Sequence, residues 1–117
     1  MNEGLRNFSR ACPDRIRAWV VFDGTTGTMI QTEGVRSVTR NSAGIYTIEL
    51  DVEMDSEFWP CGGFARSDGT NWPFVTGGTA VTSNTRNIRV YAVTTAPAIA
   101  LFDSPEVTFF VIGSPTA

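Results

Sequence analysis

The sequence contains no histidine and no lysine; all nine of its cationic side chains are arginine. Without histidine, neither a Ser-His-Asp nor a Cys-His nucleophile pair can be assembled, and a His-ligated metal site is excluded. Asp and Glu number 12, so the formal net charge is −3. An acidic chain without lysine is poorly suited to nucleic acid, whose binding rests on cationic contacts to phosphate. Cysteine is scarce too. Cys12 and Cys61 allow at most one internal disulfide, and no paired spacing suggests zinc. Met1 to Arg10 carries Glu3, Arg6 and Arg10 and no apolar run, unlike a secretory leader. No stretch approaches the roughly 18 apolar residues of a membrane helix. The reading that follows is synthesis in the cytoplasm, two free thiols and no membrane insertion. No cofactor is implied.

Leucine, the commonest strong helix former, occurs only three times, against 15 Thr, 11 Val and 8 Phe. β-Branched and aromatic residues fit a pleated surface. Glycine and proline recur as turn punctuation. Residues 1–17 stand apart, with Arg6, Arg10, Arg15 and Arg17, scattered apolar residues and Pro13; they read as an N-terminal arm. Strands are predicted over 18–23, 28–32 and 35–40, and Asn41 to Gly44 reads as a hairpin loop. In 45–52, Tyr46, Ile48, Leu50 and Val52 alternate with Thr47, Glu49 and Asp51. Further strands are predicted over 58–66, where Gly62-Gly63 suggests a bulge or a close backbone approach, and over 72–74 and 79–83, flanking a Gly77-Gly78 turn. Residues 87–95 form a long strand, 96–105 an irregular apolar connection, 106–112 the closing strand and 114–117 a tail. About eight or nine short strands with regular turns indicate one all-β domain over 18–113, an antiparallel β-sandwich of jelly-roll-like form.

The first and last strands are apolar on both faces. Trp19 and Val21 oppose Ala18, Val20 and Phe22, and Val107, Phe109 and Val111 oppose Phe110 and Ile112. A two-layer sandwich buries only one face of each sheet. The other face requires a cover, which a homo-oligomer supplies; residues 1–17 or the 96–105 connection are the alternatives within the chain.

Several patterns bear on chemistry. Asp51, Glu53, Asp55 and Glu57 alternate and, if extended, would line one face, as oxygen ligands for calcium do. The run lacks the glycine and spacing of a calcium loop, so the solvated edge of a strand is the reading and no metal is assigned. Two such acids are also what a glycosidase requires. The stretch Gly24 to Thr28 is glycine-rich but lacks the lysine of a phosphate loop and leads into a strand, so it is a turn. Trp72 lies between Asn71 and Pro73, close to Asp68, and Trp59 precedes Pro60. An indole beside amide and carboxylate groups is how a sugar ring is held, so Trp72, Asn71, Asp68 and Trp59 are the candidate ligand contacts; core packing is the competing role. Cys61, within a predicted strand, reads as a small buried apolar side chain.

The segments AWVVFDG (18–24) and VRSVTRNSAGIYTIEL (35–50), followed by MDSEFWPCGGFAR (54–66) and EVTFFVIG (106–113), resemble in order and turn residues a module of tailed-phage tail fibre and receptor-binding proteins. The resemblance covers about residues 18–113. Val21 stands where that module carries a polar residue, and only 17 residues precede the module here. The resemblance implies a trimeric β-sandwich in a virion, with no catalytic motif.

The combined expectation is a bacteriophage virion structural protein, not an enzyme: a homotrimeric tail fibre or tail-tip component mediating host adsorption. Arg6, Arg10, Arg15 and Arg17 would dock it on other virion proteins, and loops would meet a host glycan or protein. A capsid decoration or head-fibre protein is the alternative. A small glycan-degrading enzyme would need two carboxylates about 5–10 Å apart.

Overall fold

The computed structural model describes residues 16–54, 59–94 and 98–113. Among the described residues there are nine strands and no helix: β1 (Ile16–Phe22), β2 (Met29–Glu33), β3 (Val35–Ser42), β4 (Ile45–Leu50), β5 (Cys61–Ala65), β6 (Trp72–Ala80), β7 (Thr85–Val93), β8 (Ile99–Leu101) and β9 (Val107–Ile112). They form two sheets, β2-β1-β9-β5 and β3-β4-β7-β6, with β8 pairing β7 in the second. Every pairing is antiparallel. The chain is an all-β, two-sheet protein consistent with a β-sandwich.

Alternation places the core. From the first sheet come Ala18, Val20 and Phe22 of β1 and Val107, Phe109 and Val111 of β9; from the second come Tyr46, Ile48 and Leu50 of β4 and Ile88 and Val90 of β7. The Phe22 and Tyr46 rings meet edge-on at 5.0 Å across the two sheets. A fully buried side chain of this size contributes about 1.5–3 kcal/mol.

Several elements differ from the sequence reading, each for a local reason. β1 begins at Ile16, so Arg17 belongs to the sheet, and its Nε donates to the Gly113 carbonyl. Arg6, Arg10, Arg15, Cys12, Asp55 and Glu57 lie outside the described residues. β4 stops at Leu50, and Val52 is exposed rather than on the inward face with Leu50. Gly77-Gly78 is not a turn between two strands. It lies inside the continuous β6, where the register against β7 shifts between Thr76 and Thr79. Gly78 has φ +63°, and a Cβ there would stand 1.7 Å from the Asn87 carbonyl oxygen, so only glycine fits this bulge.

Gly62 and Gly63 serve close approach rather than a bulge: their pairing with Phe110 and Phe109 is regular, and the Phe110 ring lies over Gly62. The 96–105 connection, read as irregular, contains β8, which extends the second sheet beside β7. β8 is therefore not a cover for the outer face of the first sheet.

Candidate functional site

Three aromatic residues, Trp72, Phe74 and Tyr91, gather on the outer face of the second sheet. Pairing sets Trp72 beside Val93 and Val93 beside Ile99; the next row out of phase by two residues is Phe74, Tyr91 and Leu101. Alternation keeps all six side chains on one face, while Ile88, Val90 and Ala92 of β7 point into the core. Trp72 is 66% exposed, and Phe74, Val93, Ile99 and Leu101 are exposed as well. The Phe74 and Tyr91 rings stack at 5.7 Å with 23° between their planes. Beyond them the same face turns polar. Arg89 Nη1 donates to the Tyr91 hydroxyl at 3.3 Å, and Thr47 Oγ1 lies 2.7 Å from Asn87 Oδ1.

Trp72, Asn71 and Asp68 are brought together at the end of this face, in and beside the loop before β6. The loop spends its polar groups on itself. Asp68 Oδ1 accepts the backbone N–H groups of Thr70 at 2.9 Å and Asn71 at 2.7 Å, and Oδ2 accepts Asn71 Nδ2 at 2.9 Å. These bonds, led by the one from the Asn71 backbone, hold the Asp68 carboxyl below its usual range. Ser67 Oγ donates to the Asn71 carbonyl at 2.5 Å, closing the loop.

Trp59 is not part of this group. It is 3% exposed and packs in the core, with the Arg86 guanidinium 4.2 Å from its ring centre. Arg86 Nη1 also reaches Cys61 Sγ at 2.9 Å. Cys61 is half-buried rather than buried. Burial pushes its thiol up, and this outweighs the opposing pull of Arg86. Of the acidic run, the described Asp51 and Glu53 lie beyond the end of β4, and Arg36 Nη1 pairs with Glu49 Oε1 at 3.2 Å while its Nε stands 4.0 Å from Asp51. Among the described residues no three metal-ligating side chains converge.

A second polar constellation, absent from the sequence reading, locks three turns at one end of the sandwich. Asp103 Oδ2 accepts Arg40 Nη2 at 2.6 Å and Nε at 3.2 Å. Its Oδ1 accepts the Gly44 N–H at 2.8 Å and faces the Tyr46 hydroxyl at 2.9 Å. Burial pushes the Asp103 carboxyl up, but the bonds from Arg40, Gly44 and Tyr46 prevail and hold it below the usual range. Burial, then Asp103, pushes the Tyr46 phenol well above its ordinary value. The neighbouring Ser104, fully buried, donates to the Arg66 carbonyl at 2.7 Å, and its own carbonyl accepts Gly24 N–H at 2.8 Å. Every group here is matched within the fold, so the constellation is structural. Arg40 and Tyr46 face each other across the β3–β4 hairpin, but no local spacing announces Asp103, which arrives from a distant segment.

No family model, no curated protein and no solved structure matches the chain.

Proposed function

We propose that this chain is a bacteriophage virion structural protein, a tail fibre or tail-tip component that mediates host adsorption as a trimeric, jelly-roll-like β-sandwich. The segment-by-segment resemblance over 18–113 supports the virion reading. The observation that carries the assembly is that both sheets leave apolar side chains on their outer faces. Phe64 is 68% exposed on the first sheet, and Trp72 and Ile99 are each 66% exposed on the second. Contiguous patches of this kind mark surfaces made to be covered. Arg6, Arg10 and Arg15 are proposed to dock the chain on neighbouring virion proteins, and the loops to meet a host glycan or protein.

A capsid decoration role is the second reading. It is favoured by the aliphatic share of the outer face, since Val93, Ile99 and Leu101 suit a protein partner better than a sugar.

Immunogold labelling of purified particles tests both. Label at the tail supports adsorption, and label spread over the head supports decoration. Absence from particles removes the virion reading.

A further inference from the structure

We propose that the outer face formed by β6, β7 and β8 is the contact through which copies of this chain associate, its occupant being a different, neighbouring surface of a second copy, as closure of a trimer requires. This rests on the homo-oligomer reading above and assigns it a surface.

The composition of the face points to protein rather than sugar. Three of its six side chains, Val93, Ile99 and Leu101, are aliphatic and offer no flat π-surface for a pyranose ring. Only Tyr91 carries a polar atom free of the indole and phenyl rings, and Arg89 already donates to it. The amide and carboxylate that would take sugar hydroxyls are engaged with each other, Asn71 Nδ2 on Asp68 Oδ2 at 2.9 Å. An apolar centre depleted of charge, with Arg89 and the 67–71 loop at its margin, has the anatomy of a protein interface.

The area agrees. Such side chains present roughly 150–250 Å² each when fully exposed, so the five exposed ones here leave on the order of 500 Å² of apolar surface. That lies toward the upper end of the largest patch on an ordinary monomer, about 300–600 Å². With a polar rim it approaches the roughly 800 Å² per partner of a standard interface. The first sheet is the weaker candidate. There Trp19, Val21, Phe110 and Ile112 are each partly covered by their neighbours, Phe64 leans on Phe110 at 6.1 Å, and the Phe110 ring is folded over Gly62. A second copy is the partner always present wherever the chain is made, and self-association is the commonest way such a face is covered.

The test is native mass spectrometry and sedimentation of the full chain beside Trp72→Glu, Ile99→Glu and Phe64→Glu. All three positions are exposed, and circular dichroism verifies that each variant folds. The expected result is an oligomeric wild type, with Trp72→Glu and Ile99→Glu weakening self-association about 100-fold and Phe64→Glu leaving it unchanged. Dissociation by Phe64→Glu alone overturns this assignment but leaves the oligomer reading standing. A monomeric wild type overturns both.

Discussion

Tyr46 and Asp103, 57 residues apart in the chain, meet with the phenolic oxygen 2.9 Å from Oδ1. The same hydroxyl is 2.6 Å from the Gly24 carbonyl. One proton thus faces two acceptors, and Arg40 and the Gly44 N–H supply the remaining compensation to the carboxylate. The arrangement ties the β1–β2 turn, the β3–β4 turn and the approach to β9 into one unit.

Tyr46→Phe keeps the ring against Phe22 and removes the hydroxyl. It is expected to cost about 1–3 kcal/mol, the range for stranding buried acceptors. Urea denaturation checks this. An unchanged midpoint would show that the hydroxyl carries no stability.

The pH dependence follows from Asp103. Its folded pKa lies below the unfolded value, so its stabilisation is complete above the unfolded pKa of about 3.9 and is lost as pH falls through the folded value. The chain is expected to lose stability on acidification below about pH 4. In Asp103→Asn that loss is expected to be smaller, from a lower starting stability at pH 7. Urea midpoints at pH 7 and pH 3 measure both; equal acid sensitivity in the two proteins would dismiss the assignment.

Two glycines with positive φ should behave differently. Gly78→Ala drives a Cβ into the Asn87 carbonyl, whereas a Cβ at Gly69 (φ +94°) meets nothing within 4 Å. The first is expected to cost roughly 3 kcal/mol or more and the second about 1 kcal/mol. Thermal melts of the two variants decide; comparable losses would argue against the β6 bulge.

The tryptophans separate by accessibility. In the Ile99→Glu background, where the self-association face is uncovered, Trp72→Phe is expected to remove more acrylamide-quenchable fluorescence than Trp59→Phe, whose indole is 3% exposed. Stern–Volmer plots of both variants provide the comparison, and the reverse pattern would exchange their positions.

Cys61 is expected to react slowly. With burial holding its thiol up despite Arg86, alkylation of a Cys12→Ala variant near pH 8 should run more slowly than for free cysteine, because the thiolate is the nucleophile. Labelling as fast as the free amino acid would contradict the packing around Arg86.

Strand content was legible because alternation is local. Tyr46, Ile48 and Leu50 announce the inward face of β4 within six residues, and the two-sided pattern of β1 and β9 is visible in the same way. Trp59 and Trp72 show the limit. Each adjoins a proline, and nothing in that spacing says that one is core and the other exposed. β8 was missed although Ala98 to Leu101 alternates, because three paired residues amid apolar neighbours are too short a signal.

The sequence by itself determined an all-β chain without histidine chemistry, the inward residues of its longest strands, and the excess of apolar side chains on strands that have only one face to bury. Only the tertiary structure decided that Trp72, Phe74, Tyr91, Val93, Ile99 and Leu101 share a face, and that Arg40, Tyr46 and Asp103 share a carboxylate. The reason is physical. Which side chain points inward follows from backbone periodicity along a strand. Which strands lie side by side, and in what register, is settled by the packing of the whole core.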